Sequence, residues 1–556
     1  MYLLHHLLTE SSLKYPDRTA VTFRDEYITY SALDTKSDQL AATLSFHGCT
    51  KGDRIGIMLS KSIESIIALF GILKAGAIYV PLDPLAPAAR INRIIARCGI
   101  ECLITSHENL STLCSDHEAP LLLKKAILTS PSLKEGIDHR EDIDCLAWEA
   151  LSAHAPGDGP RAEISDASPA YILHTSGSTG TPKGVVISHL NALTFVNMAV
   201  DFFKIKENDR IANHAPLHFD LSVFDIFGAI KAGATIIMVP EFLSTFPSRL
   251  AEYIDREQVT IWNSVSSVLA MLAAKGRLER FAFGSLRLVH FSGEVMPLKY
   301  LWILKEHMPG ADFFNIYGQT EANSSLFYRV DDVTKDHARN IPIGKPFPHF
   351  DIFAIDDKGQ VISGVGEEGE LHVLSETVAL GYWHDEERTR ERFVPDPRGR
   401  SSQTRVYKTG DLVRLDTEQN YIFIGRKDHM IKSRGHRIEL GEIEVLLNSH
   451  PLVRQAALFT VPDELIGNRI IASVSLIEGA EFSQKEFVDF CAAALPRHAV
   501  PEVIEYRVAL PITPNGKIDR MALAKYFLTE PYANDHEERQ SLTSPAQNVG
   551  LPDYRA

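Results

Sequence analysis

Cysteine is scarce in this sequence, with six residues among 556. No two of them form a CxxC pair and none lies beside a histidine cluster, so the patterns of a zinc site and of a disulfide framework are missing. We therefore predict inert or buried thiols in a reducing compartment. The six residues are Cys49, Cys98, Cys102, Cys114, Cys145 and Cys491.

Basic runs and long apolar runs are missing as well. The net charge is −15 without a basic stretch, which disfavours nucleic acid or an anionic membrane as a partner. The longest apolar run, residues 66–82, contains two glycines and a lysine and falls short of the roughly 20 residues that a membrane span needs. The amino terminus lacks the apolar core of a signal peptide. We expect a cytoplasmic enzyme.

The remaining composition is that of a globular protein, 45% hydrophobic and 23% charged. Residues 54–59 read as a buried strand, 63–73 as a helix and 77–80 as the next strand, an order typical of parallel α/β units. The segment FGILKAGA at 70–77 recurs as FGAIKAGA at 227–234, each time followed by an apolar strand. We interpret the echo as two related α/β subdomains, each with its own sheet; the alternative is chance reuse of a good helix-to-strand connection.

The sequence predicts an α/β fold with a large N-terminal domain and a small, hinged C-terminal α+β domain. The N-terminal core covers 1–427, and the pattern changes after residue 427 to a compact module that ends near 528. Within the core we expect α/β subdomains at 1–165 and 166–344 and a β-rich subdomain at 345–427. The polar tail at 529–556 is expected to be disordered.

A loop rich in Ser, Thr and Gly lies between two apolar strand patterns at 171–189. Successive backbone N–H groups, hydroxyls and the Lys183 ammonium suit an anion such as phosphate. The loop departs from a Walker A motif, because Pro182 precedes the lysine and Gly184 follows it. A flexible linker is the alternative, which the flanking strands and the lysine disfavour.

Three further segments carry candidate chemistry. Asn315-Ile-Tyr-Gly-Gln-Thr-Glu321 offers a carboxylate for Mg²⁺, and Tyr407-Lys-Thr-Gly-Asp411 offers one for the hydroxyls of a ribose. Lys517, on a tight turn near the end of the small domain, suits charge developing on a transferred phosphoryl group. Taken singly, the three could equally be a helix-terminal acid, a turn cap and a solvated loop charge.

Together with GRKDHMIKSRGHRIELGEIE at 425–444, these segments resemble the adenylate-forming superfamily, in the same order and over about residues 8–528. The segments at 73–83, 219–224 and 437–442 are similar to those of amino-acid adenylation domains of non-ribosomal peptide synthesis. At position 319 that subgroup usually has Pro, whereas this sequence has Gln, which is common in acyl-CoA synthetases. The resemblance implies that ATP with Mg²⁺ first gives an acyl adenylate, and that a thiol takes the acyl group after the small domain swings about a hinge at Asp428.

The resemblance also implies the roles of individual residues. Catalysis would involve Lys517, Thr320, Lys183 and Glu321, the last as the Mg²⁺ ligand. The residues expected to bind ATP are Thr175, Ser176, Gly177, Ser178, Thr179, Gly180, Gly293, Asn315, Tyr317, Gly318, Asp411 and Arg426.

Asp220 decides what is activated. In the amino-acid-activating relatives an Asp at this place pairs with the substrate's α-ammonium; the alternative is that it caps the following helix. Counting from the motifs places the rest of the side-chain pocket at Leu221, Phe224, Asn263, His290, Ser292, Ile316, Ser324, Ser325 and Lys517. The set predicts a small substrate, alanine first and then cysteine or serine.

The acceptor is inferred from a missing signature. No Gly-Gly-x-Ser segment follows Arg520, so we expect the thiol to be the phosphopantetheine arm of a separate carrier protein. An acyl- or aryl-CoA synthetase is the rival prediction, since it would share every ATP motif; a nucleotide-binding protein without catalysis is disfavoured by the presence of both Lys183 and Lys517.

Overall fold

The computed structural model describes residues 3–115, 122–129, 143–154, 164–176, 182–331, 341–400, 405–427, 430–512 and 518–529. Within these ranges no helix has the length and apolarity needed to cross a bilayer. The predicted hinge Asp428, the catalytic candidate Lys517, the loop residues Gly177, Ser178, Thr179 and Gly180, and the tail 530–556 lie outside the described residues.

Parallel strands and helices alternate over the first three fifths of the chain. The strands are β1 Thr19–Phe23, β2 Glu26–Thr29, β3 Arg54–Met58, β4 Ile78–Pro81, β5 Cys102–Thr105, β6 Lys125–Leu128, β7 Asp144–Ala147, β8 Pro169–Thr175, β9 Lys183–Ser188, β10 Arg210–Asn213, β11 Thr235–Met238, β12 Ile261–Val265, β13 Leu288–Ser292, β14 Asp312–Gln319 and β15 Asn323–Arg329. The helices are α1 His6–Lys14, α2 Tyr30–Phe46, α3 Ile63–Lys74, α4 Ala88–Cys98, α5 His107–Cys114, α6 His189–Phe202, α7 Leu221–Val223, α8 Ala229–Ala232, α9 Pro247–Arg256, α10 Ser266–Lys275 and α11 Leu298–His307, with a π-helical turn Phe224–Gly228 joining α7 to α8 and short 3₁₀ turns at Trp148–Ala153, Glu241–Thr245 and Leu278–Arg280.

The rest of the chain is richer in antiparallel strands. Its strands are β16 Lys345–Pro346, β17 Asp351–Ile355, β18 Glu368–Leu374, β19 Gly381–Tyr382, β20 Phe393–Pro395, β21 Arg405–Leu415, β22 Tyr421–Arg426, β23 Met430–Ser433, β24 His436–Glu439, β25 Val453–Asp463, β26 Gly467–Leu476 and β27 Val503–Tyr506. Its helices are α12 Glu386–Arg392, α13 Leu440–Asn448, α14 Gln484–Ala494 and α15 Arg520–Thr529, with a 3₁₀ turn at Arg497–Ala499.

Two large, mainly parallel sheets form the core. One has the order β19-β9-β8-β4-β3-β5-β6-β7, and the other β16-β15-β14-β13-β12-β10-β11-β1-β2. The predicted boundary at residue 165 does not separate them: β1 and β2 leave the first segment to join the second sheet, while β8 and β9 complete the first. Edge strands pair by hydrogen bonds that period-2 and helical patterns do not encode, so the exchange was invisible in the sequence.

The two copies of the eight-residue echo occupy equivalent places. Each helix ends before a glycine with positive φ, +75° at Gly76 and +73° at Gly233, and each glycine leads into a buried parallel strand, β4 or β11. The first phenylalanine of each copy meets the other: the rings of Phe70 and Phe227 lie edge to face, 5.5 Å apart, in the apolar core that both sheets share.

The β-rich unit and the small domain complete the architecture. Strands β17, β18, β21 and β20 form an antiparallel sheet to which β22 adds beside β21. The small domain has a β25-β26-β27 sheet with its own apolar core against α13 and α14. The hairpin of β23 and β24 reaches out of that domain into the cleft of the large one, where Gly435 lies 3.5 Å from the position of a β-carbon on Gly293.

Candidate nucleotide and substrate site

Strand β14 separates two cavities at the carboxyl ends of the parallel strands. Asn315 and Tyr317 line one of about 720 Å³, together with Gly293 and Arg426; we call it the nucleotide cavity. Gly318 and Thr320 line the other, of about 170 Å³, which we call the side-chain pocket. Successive side chains of a strand point to opposite faces, so one motif serves both cavities.

The predicted ribose carboxylate, Asp411, is held on both oxygens. Asp411 and Arg426 are cross-strand partners on β21 and β22, and the guanidinium Nη1 donates to Oδ1. The Tyr317 hydroxyl and the Gln319 amide, the latter at 3.0 Å, donate to Oδ2. These groups cover Asp411, which is 1% exposed and lies behind the wall of the nucleotide cavity. Burial, followed by the neighbouring Asp411, raises the pKa of Tyr317, so its hydroxyl keeps its proton.

The phosphate loop is described at its two ends. The Thr175 hydroxyl is buried without a hydrogen-bond partner, and the Ser176 hydroxyl donates to the carbonyl of Arg437 at 2.6 Å. Lys183 begins β9, and a serine at the end of that strand caps α6 by a reciprocal bond with Asn191, which fixes the connection. Burial, followed by Arg437, lowers the pKa of Lys183 to about 8.

Several charged side chains meet at Glu321 in the cleft. Its buried carboxylate accepts from Arg437 Nη1 at 2.7 and 2.9 Å and from the Tyr382 hydroxyl at 2.8 Å, with Lys183 Nζ at 3.9 Å. Burial would raise the pKa of this carboxyl, but Arg437 and Lys183 outweigh it and hold the pKa at about 2. An always-ionised carboxylate suits a hard cation such as Mg²⁺. Since the described residues contain no cluster of three His, Cys, Asp or Glu, phosphate oxygens and water would have to supply the other ligands.

The small domain contributes residues that the sequence prediction missed. Arg437 pairs with Glu321, and Lys432 lines both cavities. The N–H of Gly435 donates to Glu294 at 2.7 Å, and a β-carbon on Gly435, where φ is +77°, would come within 2.1 Å of Val265. The motif at 425–444 marked this hairpin, but nothing in it indicated which of its residues reach the other domain.

Asp220 lies in the side-chain pocket, at the start of α7. Its side chain makes no capping bond to the helix, in contrast to the alternative interpretation of the sequence. Instead its Oδ2 accepts from the Thr320 hydroxyl at 2.7 Å. Burial raises the pKa of the carboxyl, and the Thr320 bond and the nearby Lys432 ammonium counter that effect. The carboxylate therefore stands at the end of β14, on the pocket side of the same strand that borders the nucleotide cavity.

Most of the predicted pocket residues line this pocket. Those that do are Asp220, Leu221, Phe224, Asn263, His290, Ser292, Ile316 and Ser324. Ser325 does not: it is fully buried and its hydroxyl lies 3.4 Å from the carbonyl of Tyr317, because β15 turns alternate side chains away from the pocket. Lys517 lies outside the described residues.

Aromatic residues that the sequence prediction missed also line the pocket. Phe195 and Phe203 come from the region of α6, and Phe347 from the segment after β16. His290 packs among them, with ring centroids 4.1 Å from Phe203 and 5.1 Å from Phe224, and burial, followed by Arg287, lowers its pKa to about 3. These phenylalanines look like ordinary core residues in the sequence, so no signal set them apart.

Another residue that the sequence prediction missed, Asp225, lies beneath the pocket. The Asn263 amide donates to the buried carboxyl of Asp225 at 2.9 Å, and Asn213 donates to its other oxygen at 3.2 Å. Burial raises the pKa of Asp225 to about 7, although the two hydrogen bonds act in the opposite direction. Asn263 is thereby fixed in the wall of the pocket.

Comparison with known proteins agrees with this geometry. The family model of AMP-binding enzymes matches residues 8–383, and that of the AMP-binding enzyme C-terminal domain matches residues 442–517. The chain is similar to an L-proline--[L-prolyl-carrier protein] ligase of Pseudomonas fluorescens, 34% identical over 94% of this chain and 99% of the relative. A protein with the same description from Streptomyces coelicolor is 34% identical over 92% of this chain and 94% of its own.

A solved structure shares the whole architecture. That of IdnL1 superposes with a TM-score of 0.77 at 28% identity, covering 92% of this chain and 99% of that one. The predicted α/β architecture with a small C-terminal domain is therefore confirmed. With a family model matched over more than half its length and with full-length relatives above 30% identity, the chain belongs to the AMP-binding enzymes, the adenylate-forming family that its motifs indicated.

Proposed function

We propose that this protein activates an amino acid as its adenylate and transfers it to the phosphopantetheine thiol of a separate carrier protein. The observation that carries the proposal is the position of Asp220, a partly buried carboxylate bonded to Thr320 at the end of the strand that borders the nucleotide cavity. Its hydrogen-bond partner is a neutral hydroxyl, so a substrate ammonium would supply the charged partner that this carboxylate lacks in direct contact. The two relatives named as prolyl-carrier protein ligases support the carrier as acceptor.

For the side chain we propose proline ahead of the small residues that the sequence prediction ranked first. The names of the two relatives favour it. Phe203, Phe224 and Phe347 give the pocket broad apolar walls, against which a methyl group would leave unfilled space and lost dispersion contacts. A compact ring of three methylenes fills more of this space, and its secondary ammonium still pairs with Asp220. Alanine, cysteine and serine remain the comparison substrates.

The residues of this chain would orient the reactants and neutralise their charge. In the first step a carboxylate oxygen of the amino acid bonds to the α-phosphorus of ATP and pyrophosphate leaves; Lys183 and Lys517 would balance the charge. Mg²⁺ on Glu321, when bound, would neutralise the leaving phosphates. In the second step the thiol sulfur, having lost its proton to solvent, bonds to the acyl carbon and AMP leaves.

The test is an amino-acid-dependent pyrophosphate exchange assay. Proline is expected to give the highest kcat/KM, followed by alanine, cysteine and serine, with propionate and benzoate inactive. A carrier protein bearing phosphopantetheine should then gain the mass of the aminoacyl group. Exchange driven by a carboxylic acid without an amine, or acylation of CoA while the carrier mass stays unchanged, would overturn the proposal in favour of an acyl- or aryl-CoA synthetase.

A further inference from the structure

We propose that Gln319 is a positioning residue that holds the Asp411 carboxylate ready for the ribose of the nucleotide. This rests on the proposed function, an ATP-dependent activation, and on the ribose-binding role that the sequence predicts for Asp411. Gln319 is the last residue of β14, where the amino-acid adenylation domains that the chain resembles usually have proline. Its side chain is 6% exposed and lines the side-chain pocket.

The amide nitrogen faces the ribose side. It lies 3.0 Å from Asp411 Oδ2 and within hydrogen-bond reach of the hydroxyl oxygen of Tyr317, so the two acceptors share its N–H donors. The Tyr317 hydroxyl in turn donates to the same Oδ2, which closes a three-membered ring of hydrogen bonds. Arg426 holds Oδ1 from the other side. Two donors, one on each oxygen, thus prevent the Asp411 carboxylate from rotating, and the Tyr317 hydroxyl is a third donor.

The number of acceptor positions shows which group gives way to a nucleotide. An ionised carboxylate has about four lone-pair positions, two on each oxygen. Arg426 takes one on Oδ1, while Gln319 and Tyr317 take both on Oδ2. A ribose diol needs one position on each oxygen, so one Oδ2 donor must leave. Tyr317 and Gln319 are similarly enclosed, but Tyr317 borders the nucleotide cavity and Gln319 does not, so we expect the Tyr317 hydroxyl to be the donor that gives way.

Packing alone does not account for an amide here. The carbonyl oxygen Oε1 of Gln319 is buried without a hydrogen-bond partner, which carries a desolvation cost that methionine or leucine would avoid. What the amide supplies in return is the pair of N–H bonds to Asp411 and Tyr317. Proline at this position has no side-chain donor at all, so this chain fixes the carboxylate in a way that proline could not.

The experiment compares nucleotide binding rather than turnover. The full chain carrying Gln319→Met, which keeps the volume and removes the donor, is titrated calorimetrically with ATP, 2′-deoxy-ATP and 3′-deoxy-ATP. ATP affinity is expected to fall about tenfold, the size of one charge-assisted hydrogen bond, and the deoxy nucleotides to lose much less. The preference for ATP over the deoxy nucleotides should therefore shrink about tenfold. Gln455→Met, at an exposed position, is the matched control.

Two results would overturn the inference. If Gln319→Met lowers the affinity for all three nucleotides equally and also lowers the melting temperature, Gln319 has a structural role only. If the affinity for all three nucleotides is unchanged, Gln319 has no role in nucleotide binding. Gln319→Glu separates these further, because a second carboxylate beside Asp411 should weaken ATP binding more at pH 8 than at pH 5.5. If the wild-type chain activates no amino acid and Gln319→Met still narrows the ribose preference, the proposed substrate class fails and the positioning role stands.

Discussion

The two faces of β14 differ in how they are built. On the nucleotide face Glu321 and Asp411 each meet a fixed guanidinium, from Arg437 and Arg426, and charges balance within the protein. On the other face Asp220 has a hydroxyl as its hydrogen-bond partner, in a pocket lined by aromatic rings and by further charged side chains such as Lys432 and Arg437. The carboxylates of the nucleotide face are thus paired within the protein, whereas Asp220 keeps its charge for the substrate ammonium that we propose.

The largest effect is expected from breaking the charge balance on the nucleotide face. Glu321→Gln leaves the buried Arg437 without its paired carboxylate, while Lys183 keeps Glu439 at 3.5 Å; the change should cost roughly 3–5 kcal/mol of stability and remove the predicted Mg²⁺ ligand. We expect a clear drop in melting temperature and loss of pyrophosphate exchange. Glu418→Gln, at an exposed turn, is the control and should melt like the wild type. Equal melting of the two variants would show that the network is not balanced as described.

Lys517→Ala separates catalysis from binding on the same face. If its ammonium neutralises the transition state, exchange should fall about 100- to 1,000-fold, while nucleotide affinity and melting temperature hold. Rapid-quench adenylate formation measures the first, and calorimetric ATP titration the second. Full activity in this variant would remove Lys517 from the catalytic set.

Asp220→Asn tests the carboxylate that we propose for the substrate ammonium on the opposite face. Losing one charge-assisted contact of about 1.5–3 kcal/mol should raise KM for the amino acid roughly 10- to 150-fold and leave KM for ATP unchanged. Since burial raises the pKa of Asp220, wild-type KM for the amino acid should also rise on acidification, and the variant should lack that rise. An unchanged amino-acid KM in the variant would dissociate Asp220 from the substrate ammonium.

The smallest effect concerns the aromatic wall. The pKa of His290 is lowered to about 3, so between pH 6.5 and 3 the unfolded chain binds more protons there than the folded one, and stability is lost as pH falls through that window. Between pH 7.5 and 5 this amounts to about 2 kcal/mol. His290→Phe should narrow the loss of melting temperature over that range, as read by a thermal melt at each pH. An equal loss in both proteins would mean that the ring is protonated in place.

The same contrast explains what the sequence could predict. Residues of the nucleotide face lie in short segments whose chemistry is local, so the motifs alone indicated Asp411, Arg426 and Glu321 as candidates; the structure brings Asp411 and Arg426 into contact, and their roles stay predictions. Arg437 and Gly435 meet the large domain only through the arrangement of the two domains, which no local pattern encodes. The walls of the side-chain pocket, such as Phe203 and Phe347, come from distant segments and carry the signature of a core. Ser325 was misplaced because counting along β15 ignored which face of the strand each residue takes.

The contact between Phe70 and Phe227 has a consequence for how substitutions at the two positions combine. The two residues hold the same place in the two copies of the echo, and their rings pack against each other. Both rings share one interaction energy, so replacing the second after the first should cost less than replacing it alone.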